Sequence, residues 1–187
     1  MVDLGDRTLG PLFSRSFSVG GFSMVPAPES CRFTFRARGA VVDTASQAFG
    51  VVLPRQACSA ANTGVRAALW MGPDEWLLIG PRSEKVLIER QLTEVLAGAA
   101  HSLVDVSHGE AALIMSGTKT AVALAAGCPL DLHSSVFAVG MCTRTVLAKA
   151  QIVLWRTGPL LFYVQTSRSL ADYVWRFLEQ AGMDLNA

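Results

Sequence analysis

Asp105-Val-Ser-His-Gly-Glu110 places an acid, a hydroxyl and an imidazole within four positions, the residue types of a nucleophile, its base and an orienting carboxylate. If 102–107 is a strand, Asp105 and Ser107 share one face, and His108 points away or enters the turn, so that line cannot close locally. The segment is therefore read as a strand end, where Asp105 or Ser107 satisfies backbone donors and Gly109 supplies an unusual dihedral. Asp74 and Glu75 are adjacent at the tip of an expected hairpin. They should point to opposite sides of the pleat and stay solvated, with nothing to raise one pKa and make an acid and base pair. His101, His108 and His133 are too scattered for a helical metal pair, and no carboxylate cluster accompanies them. Cys31, Cys58, Cys128 and Cys142 form no C-x-x-C, so neither a zinc knuckle nor a redox pair is indicated, and reduced buried thiols are expected. Neither G-x-G-x-x-G nor G-x-x-x-x-G-K occurs. No catalytic, cofactor-binding or metal-ligating residue is assigned.

The elements that would position these groups follow from periodicity and turn chemistry. Residues 32–36 predict a strand with Phe33 and Phe35 on one face, and 41–49 a short helix. Residues 66–79 predict two strands joined at Gly72-Pro73-Asp74. Ser83 is an expected N-cap for a helix carrying Ile88, Leu92, Val95 and Leu96 up to Gly98. Strands are expected at 102–106 and 111–115, and a helix from Thr118 to Ala126, stopped by Gly127 and Pro129. Three more strands (145–149, 151–157, 160–166) precede a final helix from about Ser169, with Leu170, Val174, Phe177, Leu178 and Ala181 on one face and Gly182 after it. Trp70 and Trp76 are expected to pack in a core, with a protein contact surface as the second use.

Leu69-Trp70, Gly72-Pro73 and Arg82-Ser83 are echoed by Leu154-Trp155, Gly158-Pro159 and Arg168-Ser169. Each copy runs strand, Gly-Pro turn, strand, helix, and each has a strand and short helix upstream. This predicts an α+β fold of two ferredoxin-like halves. Residues 1–29, rich in Gly, Ser and Pro with isolated Leu4, Leu9, Leu12, Phe13, Phe17 and Phe22, read as an N-terminal arm, either disordered or ordered only against a partner. The domain is then 30–187, with halves at about 30–100 and 101–187.

The chain is 51% hydrophobic and only 17% charged, against a usual charged share of about 25%. Lys119, Asp131 and Arg144 interrupt every run that could approach the roughly 20 apolar residues of a membrane span. Apolar surface covered by a partner is the favoured account, over an unusually well-filled monomer. A net charge of +1 without a basic run argues against nucleic acid. Asp3, Asp6, Arg7 and Arg15 interrupt the amino terminus where a signal peptide needs an apolar run, so a cytoplasmic location is expected.

Ala68-Leu-Trp-Met-Gly-Pro-Asp-Glu-Trp-Leu-Leu78 resembles the signature of sarcosine oxidase gamma subunits. The similarity continues through Val104-Asp-Val-Ser-His-Gly109, Met115-Ser-Gly117, Gly127-Cys-Pro-Leu-Asp-Leu-His133, then Phe137, Gly140, Cys142, Thr143 and Thr145, to Arg168-Ser169. Met71 stands where many relatives have leucine, a volume-conserving change. The resemblance implies a fold like the folate-binding domain of glycine-cleavage aminomethyltransferases. It also implies a non-catalytic gamma chain that packs directly on an alpha subunit, in a heterotetrameric sarcosine oxidase with beta and delta subunits. In such a complex FAD, FMN, NAD and zinc are expected on the other subunits, sarcosine is demethylated to glycine, and the one-carbon unit passes to tetrahydrofolate. The resemblance implies no cofactor in this chain. One alternative is the equivalent subunit of an N-methylglutamate dehydrogenase complex. Another is a stand-alone folate-binding, aminomethyltransferase-like protein, for which Asp105 and Glu110 are the candidate pterin carboxylates. Trp76 and the arm are the expected interface elements, on aromatic content alone.

Overall fold

The computed structural model describes Leu12 and residues 14–185. The chain divides into two compact units, one of Pro28–His108 with Gly140–Thr143, the other of Gly109–Val139 and Arg144–Ala187 with the N-terminal stretch to Ala27. In chain order the strands are β1 (Phe17–Val19), β2 (Phe22–Pro26), β3 (Ser30–Ala37), β4 (Ala60–Thr63), β5 (Arg66–Gly72), β6 (Glu75–Pro81), β7 (His101–Asp105), β8 (Glu110–Ser116), β9 (Cys142–Leu147), β10 (Ala150–Gly158) and β11 (Leu161–Ser167). The helices are α1 (Ala40–Phe49), α2 (Lys85–Val95), α3 (Thr120–Ala125) and α4 (Ala171–Asp184).

In the first unit the strands lie in the order β4-β5-β6-β3-β7. Leaving aside edge strand β4, the sequence β3-α1-β5-β6-α2-β7 is the βαββαβ ferredoxin-like motif. Cys31, Phe33, Phe35 and Ala37 alternate onto one face of β3, where they meet Val42, Ala45 and Phe49 of α1 and Ile88 and Leu92 of α2. Spacings of three and four give each helix one apolar stripe, which that face buries. Gly50 ends α1 at φ 76°, with its N–H donating to the Ser46 carbonyl at 3.0 Å. The 66–79 hairpin forms as expected, Gly72 pairing with Glu75 across Pro73 and Asp74. Ser83 does not cap α2 but lies in a 3-10 turn, Arg82–Glu84, that leads into the helix. Residues 101–105, placed at sequence level in the second half, pair instead with β3 of this unit, which moves the boundary to His108.

The second unit repeats the pattern as β8-α3-β9-β10-β11-α4, in a sheet ordered β1-β2-β8-β11-β10-β9. No strand follows α4 among the described residues. The position beside β8, which β7 fills beside β3 in the other unit, is taken by β2, with Ser23 opposite Ser116 and Met24 opposite Met115. Within the expected arm Phe17–Val19 and Phe22–Pro26 are thus strands, while Leu4, Leu9 and Phe13 of that stretch lie outside the described residues. In β2 only Phe22 and Met24, each 1% exposed, carry the two-residue period, too short a pattern to mark a strand, and Met24 finds its partner in Met115, 91 positions away. Gly182 falls inside α4 rather than after it, because a Cβ there would sit 2.5 Å from the Phe22 ring.

The Trp70 and Trp155 echo is not a structural equivalence. Trp70 pairs with Trp76 and Gly72 with Glu75, whereas Arg156 pairs with Phe162 and Gly158 with Leu161. Counted from the turn glycines, Trp70 corresponds to Arg156. Trp155 is one residue out of register, which in a strand means the opposite face.

Candidate functional site

Three polar constellations contain the residues with chemical potential. The first lies where β7 ends. Pairing with β3 continues through the Val106 N–H to the Arg32 carbonyl (2.9 Å), and the Arg32 N–H then donates to Ser107 Oγ (2.9 Å). The Ser107 backbone N–H donates to Asp105 Oδ1 at 2.9 Å, its hydroxyl bonds the same oxygen, and Lys85 Nζ lies 2.9 Å from Oδ2. Burial alone would raise the Asp105 pKa, but hydrogen bonds from Ser107 and Lys85 outweigh it and hold the carboxyl at about 2. The bond to Asp105 raises the Lys85 pKa. At neutral pH the pair is a carboxylate and an ammonium. The carboxylate is too weak a base to take the Ser107 proton, and the ammonium has no lone pair with which to accept it. His108 is exposed, and Gly109 has no positive φ, contrary to expectation. The Gly109 carbonyl instead accepts the Arg168 N–H at 2.8 Å. Asp105, one candidate pterin carboxylate, has both oxygens engaged. The other, Glu110, sits on β8 opposite Ser167.

The second constellation is the β5-β6 turn. Arg38 Nη2 lies 2.9 Å from Asp74 Oδ2 and Arg36 Nη2 3.3 Å from Oδ1, so hydrogen bonds from Arg38 and then Arg36 lower the Asp74 pKa. Glu75 is 3.8 Å from Arg36 Nε. The two carboxylates, expected to be merely solvated, are bound to guanidinium groups presented by β3 and the residue after it. Nothing here raises the Asp74 pKa towards that of a general acid. Trp76 is 2% exposed, packs against Phe35 and donates its indole N–H to the Pro54 carbonyl at 2.7 Å. It is a core residue and cannot serve as the surface contact suggested by its aromatic character.

Sequence reasoning missed the third constellation. Arg156 is 6% exposed in the second unit, with Nη1 donating to the carbonyls of Leu132 (3.2 Å) and Phe137 (2.9 Å) and Nη2 to that of Pro159. Its guanidinium lies 5.0 Å from the centre of the Phe162 ring. One cation thereby ties the 132–137 loop to the β10-β11 turn. The available signal was positional: Arg156 continues the inward face of Ile152 and Leu154, where a charge must find carbonyls or anions.

Among the described residues no three His, Cys, Asp or Glu side chains gather as a metal site. The four cysteines are free thiols, with Cys31, Cys128 and Cys142 buried and Cys58 half-buried. Among the described residues no helix is long and apolar enough to cross a membrane. All three constellations join strand ends and loops within a unit.

Residues 35–184 match the model of the "Sarcosine oxidase, gamma subunit family". A sarcosine oxidase subunit gamma of Corynebacterium sp. (strain P-1) is 32% identical over 137 residues, 73% of this chain and 66% of its own length. That of Arthrobacter sp. is 36% identical over 118 residues, 63% of this chain and 57% of its own length. The matched stretch thus spans less than two thirds of either relative. A chain of the heterotetrameric sarcosine oxidase from Corynebacterium sp. U-96, solved with pyrrole 2-carboxylate, superposes with a TM-score of 0.84 at 26% identity, over 90% of this chain and 88% of that one. Aminomethyltransferase T of the Bartonella henselae glycine cleavage system superposes at 0.66 with 8% identity, over 85% of this chain and 45% of that one, which bears on the fold alone. The α+β class with two ferredoxin-like halves, and the likeness to an aminomethyltransferase fold, are as expected.

Proposed function

The chain belongs to the sarcosine oxidase gamma subunit family, and from that premise we propose that it is the non-catalytic gamma subunit of a heterotetrameric sarcosine oxidase. In this reading it packs on the alpha subunit, with beta and delta in the same cytoplasmic assembly. The assembly demethylates sarcosine to glycine and passes the one-carbon unit to tetrahydrofolate. FAD, FMN, NAD and zinc sit on the other subunits. The observation that carries the proposal is the likeness to a chain of a heterotetrameric sarcosine oxidase over nine tenths of this one. The chemistry of the residues supports the non-catalytic part: Asp105 is spent on Lys85 and Ser107, Asp74 on Arg36 and Arg38, and Arg156 on backbone carbonyls. A carboxylate held at about 2 is a poor general base at neutral pH, because proton transfer is most effective when the pKa is near the working pH.

The test is expression of the chain with and without a candidate alpha subunit, followed by mass from light scattering and absorbance of bound cofactor. Stoichiometric co-purification, with no colour in the chain alone, is expected. A lone chain that stays monomeric and binds flavin or tetrahydrofolate tightly would overturn the proposal in favour of a folate-binding enzyme.

A further inference from the structure

Two cysteines that the sequence holds 84 positions apart meet in the first unit. Gly140–Thr143 crosses beside the start of β4: the Ala60 N–H donates to the Gly140 carbonyl at 2.8 Å, the Cys142 N–H donates to the Cys58 carbonyl at 2.9 Å, and Ser59 and Met141 form an antiparallel bridge between those bonds. That register sets Cys58 directly across from Cys142. Such antiparallel partners have Cα atoms about 5.5 Å apart, inside the roughly 4.4–6.8 Å that a disulfide spans. Cys58 is half-buried and has φ 57°, the left-handed conformation that bends the chain at this point. Cys142 is fully buried, with Sγ 3.3 Å from the Ser59 carbonyl and 3.6 Å from that of Trp70.

We propose that Cys58 and Cys142 are an oxidisable pair that closes to an intrachain disulfide when the chain meets hydrogen peroxide. The asymmetry of the pair assigns the roles. Burial pushes the Cys142 thiol up to about 12, so it stays protonated and shielded. Cys58, the less buried residue of the two, meets the oxidant. Its thiolate attacks the peroxide, the O–O bond breaks, and Cys58 becomes a sulfenic acid with release of hydroxide, which a proton turns to water. The Cys142 thiol then hands its proton to the sulfenic oxygen of Cys58 as its sulfur attacks the Cys58 sulfur. The S–O bond breaks, the S–S bond forms, and a second water leaves. Overall two thiols give up two electrons and two protons to one peroxide, which becomes two waters. The bond replaces the contacts of the Cys142 thiol with the Ser59 and Trp70 carbonyls, and it ties 140–143 covalently to the strand it already flanks. Cys31 and Cys128, both buried, stay reduced.

The full chain, alone or in its complex, is treated with hydrogen peroxide, unfolded in an alkylating agent and mapped by mass spectrometry. Expected is a cross-linked peptide joining Cys58 to Cys142, with alkylable thiols falling from four to two, reversed by dithiothreitol. In Cys142→Ala the sulfenic acid on Cys58 should accumulate and be trapped by dimedone, whereas Cys58→Ser should keep its three remaining thiols. Circular dichroism checks the fold of Cys142→Ala, and should that variant not fold, the wild-type peptide map decides alone. Four alkylable thiols after treatment, oxidation of Cys58 to sulfinic acid without cross-linking, or a disulfide only between chains would each overturn the proposal.

Discussion

Asp105 shows how a segment with the residue types of catalysis becomes a structural lock. Its carboxyl is held at about 2, below its ordinary value of 3.8, so its contribution to stability is fully present above pH 3.8 and is lost as the pH falls through 2. A shift of that size corresponds to at most about 2 kcal/mol, which solvent screening at this exposed residue reduces. Asp105→Asn should therefore unfold at lower urea than wild type at pH 7, by up to about 1 kcal/mol, with the difference closing as the pH approaches 2. A difference that stays constant between pH 7 and pH 2 would contradict this. Arg156 behaves differently because its partners are carbonyls, which do not titrate. Arg156→Met removes hydrogen bonds from three carbonyls at once, and leaving such groups unpaired costs about 1–3 kcal/mol apiece when they stay buried. Thermal unfolding should report a loss of at least about 3 kcal/mol, and amide exchange should quicken across 132–137. Arg156→Lys should recover only part of this, since a single ammonium cannot reproduce the planar fork.

At the scale of elements, strand β2 is what makes the second unit a closed ferredoxin-like motif. Phe22 is buried beside Gly182 and Met24 is opposite Met115, so the N-terminal segment belongs to the core of the unit that contains the C-terminal helix. Phe22→Ala should cost about 3–5 kcal/mol, as for a buried aromatic elsewhere. Gly182→Ala should cost about 1–3 kcal/mol through overpacking, since its Cβ would need the Phe22 and Phe17 rings to move. Both are read from thermal or urea midpoints, and a neutral Gly182→Ala would show that β1 and β2 do not hold against α4 in solution. Most helices and strands inside 30–185 are legible in the sequence, because they carry a two-residue or three-to-four-residue period; edge strand β4, with no such period, is not. Entry into α2 was misjudged at Ser83, where a 3-10 turn displaces the side-chain cap.

For the whole molecule, the near-neutral charge and apolar surface bear on assembly. Val52, Val65 and Val86 are each more than 70% exposed. With a net charge of +1 there is little long-range attraction for a partner to use. Co-purification with the proposed alpha subunit should therefore survive a rise from about 0.1 to 0.5 M salt, over which screening shortens to a few ångströms. Dissociation over that range would instead point to ion pairs as the main contact.

The amino-acid sequence by itself determined the α+β class and the repeated strand-turn-strand-helix unit, since both rest on residues close together in the chain. It also carried the family, through motifs spread from Ala68 to Ser169. Only the tertiary structure decided that β7 closes the first sheet and β2 the second, that Trp70 corresponds to Arg156 rather than Trp155, and that Cys58 faces Cys142. Each of these depends on which strand lies next to which, and in what register. Pairings across 60 or more residues leave no trace of the partner in either segment, because the burial they create is shared between positions that no local window contains.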